Sequence, residues 1–219
     1  MRRLPRFALL ALAWLAATGH VGMCDLFRPA TPERGGTGNV ILTNYTDPDS
    51  TLATMARGMA AKADGRDAYM GGVADTIRDS RSFTATFDPA VLARYNSQPN
   101  AVPGYDPWTT DLERTVFLNF IQYKSGEYAM TWGPDTFNPI DDRQPDSAVL
   151  HRSYQITARL DPTTTLIIAV GYADLTFVRT ASGRWAITRW DDRVDPAYGG
   201  ANPSNPDQVP YGWRRLTQR

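Results

Sequence analysis

The stretch "YADLTFVRTASGRWAITRWDDR", residues 172–193, decides the fold. Ala173, Leu175 and Phe177 alternate with Tyr172, Asp174 and Thr176, and side chains two apart share one face of a strand. Ser182-Gly183 supplies a tight turn, and Trp185 to Trp190 returns as the partner strand. Backward along the chain the alternation continues to Thr165, with Ala169, Gly171, Ala173, Leu175 and Phe177 on one side. The spacing predicts a strand over 165–179, and Gly171 inside it predicts a bulge. Asp161-Pro162 interrupts. A further strand is predicted over 149–160, with Leu150, Arg152, Tyr154, Ile156 and Ala158 on one face. Residues 127–132 are another strand, and 133–147 a loop or hairpin tip.

Further upstream the period changes. Leu52, Met55, Ala56, Met59 and Ala60 recur at helical spacing behind a cap at Asp49 or Ser50. Residues 66–77 predict a second helix, loosened by Gly71-Gly72. Residues 83–87 alternate as a strand, and Asp88-Pro89 opens a helical turn reaching Tyr95. A loop with three prolines covers 96–107. Thr110-Asp111-Leu112-Glu113 reads as a capping box, ahead of an apolar face of Leu112, Val116, Phe117, Phe120 and Tyr123. After Arg193, prolines and Gly199-Gly200 predict an irregular tail over 194–219. Helices segregated from strands define the α+β class: helices packed on a strongly curved antiparallel sheet.

Over residues 50–193 this order resembles the NTF2-like cone fold shared by ketosteroid isomerase and the SnoaL-like proteins. The hairpin 172–193, closing on Trp185-x-Ile187-x-x-Trp190-x-Asp192, carries the resemblance most directly. It implies an NTF2-like domain over 41–193, a pocket inside the cone, and a homodimer formed across the open sheet face. A shared fold does not imply a shared function.

The first forty residues read as an address. Arg2, Arg3 and Arg6 precede the apolar run Phe7–Ala17, which is shorter than the ~20 residues a membrane-spanning helix needs. A basic segment followed by a short apolar one is the pattern of a secretory signal. It ends in Val21-Gly22-Met23-Cys24, and Cys24 is the only cysteine. This resembles the processing box of bacterial lipoprotein precursors, with Met23 in place of the usual small residue. The resemblance implies a signal peptide over 1–23, lipid on Cys24, and a flexible tether over 24–40, rich in Pro and Gly. The protein would then be exported and lipid-anchored to the bacterial cell envelope, at the periplasmic or outer-membrane face. A lone thiol can otherwise pair only between chains, and a catalytic thiol needs a partner base and a shaped cleft.

Charge narrows the partners. Twenty-three basic and 23 acidic residues cancel. No electrostatic footprint for nucleic acid is present, nor a polybasic membrane patch, so the membrane would be held through the lipid. Asp outnumbers Glu 20 to 3, which favours caps and turns over helix interiors.

Few residues promise chemistry. His151 is the one histidine beyond the signal segment, and a zinc site needs about three or four ligands, so no metal is expected. No dinucleotide or phosphate-loop motif occurs, so no cofactor is expected. The acidic loop with Asp135, Asp141, Asp142 and Asp146 lacks the alternate spacing of a calcium loop. Isomerase-like catalysis uses an Asp base and acid donors in a dry pocket. Period-2 counting places Tyr172, Asp174 and Thr176 on one face, with Tyr154 approaching it from the preceding strand. The catalytic candidates are Asp174, Tyr172, Tyr154 and His151. Those for a pocket taking a small apolar ligand are Trp132, Tyr154, Tyr172 and Trp190. The first reading is a non-enzymatic module binding a small ligand or a protein at the envelope. The alternative is a carboxylate-based isomerase, dehydratase or hydrolase working inside the cone. A deep cavity with converging carboxylates favours the enzyme; a cone filled by aromatic side chains favours the module.

Intact-mass analysis of the protein extracted from its host membrane tests the address. The expected product starts at Cys24 and carries diacylglyceryl on sulfur; an uncut chain with a free Cys24 thiol refutes it.

Overall fold

A computed structural model describes residues 41–102 and 107–219. The expected signal segment 1–23, Cys24 and the tether 24–40 lie outside the described residues.

Helix α1 spans Pro48–Ala60. Its cap is Asp47, not Asp49 or Ser50: the Asp47 carboxylate accepts from the Ser50 amide at 2.8 Å, and Pro48 occupies the first helical position, where no amide hydrogen is needed. Leu52, Met55 and Met59 are buried as the helical spacing predicts. Helix α2, Arg66–Gly71, stops well short of Ile77. The chain leaves the helix there because Val73 bridges Ile187 in parallel, with Ala74 N donating to Ile187 O at 2.8 Å and Ile187 N to Gly72 O at 2.8 Å. A turn of helix, α3, follows at Thr76–Asp79.

Strand β1, Thr84–Thr86, precedes helices α4, Pro89–Asn96, and α5, Thr110–Phe120. The remaining strands are β2 Glu127–Pro134, β3 Asp142–Arg143, β4 Ser147–Arg159, β5 Thr165–Arg179 and β6 Trp185–Arg193. They form one sheet in the order β1-β6-β5-β4-β2, with β3 also on β4. All pairings are antiparallel except β1 on β6. Two register shifts bend the sheet, one between Ile156 and Thr157 on β4 and one between Thr176 and Phe177 on β5; the extra residues, Ile168 and Thr188, add local twist. The architecture is the expected α+β arrangement of helices on a curved, mainly antiparallel sheet.

Gly171 is not at the bulge, which falls at Ile168. A Cβ on Gly171 would lie 2.6 Å from Arg193 O and 2.6 Å from the Tyr154 hydroxyl. The glycine is there for close approach.

Two expectations fail together. Thr109, not Thr110, caps α5, its hydroxyl accepting from the Leu112 amide. Glu113 does not close a capping box; it is fully buried. The tail over 194–219 is not irregular throughout either. Tyr211–Thr217 forms helix α6, and Arg215 on it is fully buried. Glu113 takes both an Nε bond at 2.8 Å and an Nη2 bond at 2.9 Å from Arg215. It also accepts from Tyr69 Oη and Trp108 Nε1, each at 2.9 Å. The guanidinium lies over the Trp190 ring at 4.1 Å and the Tyr211 ring at 4.6 Å. A buried ion needs a partner and hydrogen bonds: both carboxylate oxygens are engaged, and of the guanidinium nitrogens only Arg215 Nη1 lacks a partner among the described residues.

Breaking this pair by Glu113→Gln or Arg215→Met should cost about 3–5 kcal/mol of unfolding free energy. The double variant should lose less than the sum of the two in urea titrations; additive losses would mean the two charges do not act as a pair.

Candidate functional site

The helix side of the sheet carries the packed core. Trp108, Phe117, Phe120, Trp190, Tyr211 and Arg215 fill it, each under 2 % exposed. Its second carboxylate, Asp192, accepts from Tyr154 Oη at 2.6 Å, Gly212 N at 2.7 Å and Trp190 Nε1 at 3.3 Å. Tyr154 Oη in turn accepts from Tyr211 N at 2.7 Å. Burial pushes Asp192 up to about 6, against the pull of Arg215 and these donors, and burial raises Tyr154 well above the ordinary phenol value. An acid so displaced is a usual mark of catalysis. This one is 3 % exposed and bonded by protein donors alone.

Tyr154 does not converge with Tyr172 and Asp174 as expected. Tyr154 is opposite Gly171 in the ladder, whereas Tyr172 is opposite Ser153 and Asp174 opposite His151. Opposed residues share a face, so Tyr172, Asp174 and His151 lie on the outer face and Tyr154 on the core face. The count along each strand was right. The register between strands, one residue off what convergence needs, separates them. On the outer face His151 Nδ1 lies 2.5 Å from Asp174 Oδ1 and 3.0 Å from Asn138 Nδ2. Arg193 Nη2 donates to Asp174 Oδ1 at 2.9 Å and also binds Asp135. Burial alone would raise Asp135, but the Phe137 and Asn138 amides and Arg193 hold it below the usual carboxylate range. Asp141 is held far lower still, against its burial, by Arg152 and Arg143. The acidic loop is thus strapped to the sheet by arginines.

Of the pocket candidates, Trp190 is wholly core. Trp132 is half-buried: its indole Nε1 donates to Leu52 O at 3.2 Å, and its ring packs on Trp190 with centroids 5.5 Å apart. Trp132 floors an open groove of about 740 Å³ between α1 and β2. Leu52, Ala53 and Ala56 form one wall, and Met130 and Pro134 the other. At one end Arg152 donates to both oxygens of Asp141, at 2.7 and 2.8 Å, and to Asp49 at 3.0 Å; Arg143 pairs with the same two carboxylates at 2.8 Å, so two cations balance two anions there. Sequence reasoning missed this groove and the buried pair. Glu113 did carry a signal: it sits at i, i+3, i+4, i+7 with Val116, Phe117 and Phe120, on the apolar stripe itself.

No protein-family model matches the chain, and no curated protein matches it. Solved structures do. The chain is similar to an NTF2-like protein of unknown function from Pseudomonas putida, at 9 % identity and a TM-score of 0.46, over 69 % of this chain and 86 % of that one. It is similar to a protein of unknown function from Mycobacterium tuberculosis, at 13 % identity and a TM-score of 0.43, over 67 % and 69 %. An NTF2-like protein with a cystatin-like fold from Novosphingobium aromaticivorans shares 14 % identity at a TM-score of 0.40, over 65 % and 75 %. These likenesses concern the fold alone.

Asp192 gives the domain a definite pH response. Its folded value of about 6 lies above the ordinary 3.8, so its contribution is greatest below about pH 4 and is lost as pH rises through 6. The loss is on the order of 3 kcal/mol. Asp135 and Asp141, held low, act oppositely and lose their contribution as pH falls below about 4. Urea titrations should show Asp192→Asn removing the fall in stability between pH 4 and 7; an unchanged slope would place the proton elsewhere.

Proposed function

We propose that the domain is a non-enzymatic binding module that takes a small apolar ligand in the groove between α1 and β2, held at the cell envelope by lipid on Cys24. One observation carries the reading. The cone interior, where a carboxylate enzyme of this shape would work, is occupied by Trp108, Phe117, Trp190, Tyr211 and Arg215. Both of its carboxylates are bonded by the protein's own donors. The groove offers what the interior lacks: open volume, an indole floor and aliphatic walls. Ligand sites are concave and mostly apolar, with few polar groups, and the ion-paired end of the groove leaves no net charge to attract an ionic ligand. The raised Asp192 beside Tyr154 favours the alternative, an isomerase or dehydratase. That reading requires substrate to displace α6 and its buried arginine.

A neutral solvatochromic dye provides the test. Trp132→Ala should weaken dye binding about tenfold, and Ala53→Trp should block it by filling the groove. Asp192→Asn should leave it unchanged. Dye binding indifferent to both groove variants sinks the proposal.

A further inference from the structure

The sheet's other face holds a second hollow, of about 310 Å³. Its floor follows from the register. Thr131 is opposite Gln155, which is opposite Val170; two residues along, Gly133 is opposite Ser153, which is opposite Tyr172. These six positions form two rows across β2, β4 and β5 on the face away from the helices. Strand spacing and rise make the patch about 10 Å by 7 Å. Its middle is low because Gly133 and Ser153 are small; a Cβ on Gly133 would lie 2.7 Å from Ser153 Oγ. The wall is the segment after β6. Asp195 accepts from Ala197 N at 2.9 Å and caps the short turn Pro196–Tyr198. Gly199 and Gly200, with φ of 84° and 59°, turn the chain back, leaving Asp195 and Tyr198 against the hollow.

The lining has one chemical character. Among the described residues that line it none is Lys, Arg or His, and Asp195 is the only ionic group. The remainder are two hydroxyls, a carboxamide, three phenols, the Trp132 indole, a valine and a glycine. Several are underused. Gln155 has no side-chain hydrogen bond among the described residues, although its carboxamide offers two donors and an acceptor. Tyr198 is half-buried without a ring partner among them. Tyr172 Oη has only a 3.4 Å contact with Thr136 Oγ1. An anion finds no counter-charge here, and an alkyl ligand would strand the carboxamide and hydroxyls. A ligand whose hydroxyls donate to Asp195 and accept from Gln155, and whose C–H face rests on a phenol ring, satisfies all of them.

We propose that this hollow is a binding site for a small neutral polyhydroxylated ligand, one or two sugar rings in size. It is distinct from the groove between α1 and β2: Thr131, Trp132 and Gly133 border both, but the Trp132 and Tyr154 rings lie on the helix side, against Trp190. The volume is at the small end of ligand sites, and the shallow floor fits weak, reversible binding.

Saturation-transfer NMR on the full chain tests this, with maltose and the methyl glycoside of N-acetylglucosamine as probes. Dissociation constants of about 1–10 mM are expected. Gln155→Ala and Tyr198→Ala should each weaken binding about fivefold or more, and neither residue belongs to the core. Ala53→Trp should leave sugar binding unchanged while it blocks dye binding, so the two sites fail independently. The proposal is overturned if neither sugar gives transfer at about 50 mM. It is equally overturned if transfer survives both hollow variants, if methylammonium outcompetes the sugars, or if the chain is a dimer that covers this face and excludes them.

Discussion

Glu113 and Arg215 are 102 residues apart in sequence and face each other at hydrogen-bond distance with no exposure to solvent. Burying two such charges costs several kcal/mol per ion, recovered only if every part of the site is in place. Four elements supply those parts. Helix α5 brings the carboxylate, α6 the guanidinium, α2 the Tyr69 hydroxyl, and β6 the Trp190 face. If any one is withdrawn, a charge is left bare in the core. The C-terminal segment is therefore a structural member of the domain, and the cone closes around it. Among the described residues, the helix side of the sheet is thereby filled by packed side chains.

The same closure explains the second buried acid. Gly212 and Tyr211, at the start of α6, present their amides to Asp192 and to the Tyr154 hydroxyl. That hydroxyl reaches them because Gly171 has no side chain in its path. A Cβ on Gly212 would itself lie 2.6 Å from Asp192 Oδ2. Two glycines, one on β5 and one on α6, thus let a tyrosine and an aspartate lock the last helix onto the sheet. Through these bonds Asp192 ties the start of α6 to β4 and β6.

Local pattern was legible in the chain and long-range pairing was not. The strand over 165–179 matches its predicted limits, since alternation there is long and bounded by turn residues. The stripe on α1 is buried as spaced. What depends on two distant segments escaped. Glu113 obeyed a local rule, the capping box, so well that its place on the apolar stripe was overlooked; the partner that decides between the two roles is Arg215. The prolines after Arg193 do break the chain, yet Tyr211, Arg215 and Leu216 beyond them are buried. Parity along one strand says nothing of parity between two, and only the ladder puts Tyr154 and Tyr172 on opposite faces.

The sheet thus presents two surfaces of opposite chemistry, and its strands dictate both. On the helix side, β2 is the last strand of the sheet, so Trp132 projects past the packed core and leaves the groove beside α1. On the far side, the same strand contributes Thr131 and Gly133, small or hydroxylated, where an outer face without helices must meet water. The arginine–aspartate straps separate the two. Arg152 holds Asp141 at the groove end, and Arg193 holds Asp135 and Asp174 on the outer face. They anchor one loop, residues 135–141, across the rim from opposite sides. These pairs are partly buried, Asp135 fully so. Arranged as bidentate and shared contacts they fix the geometry of that loop.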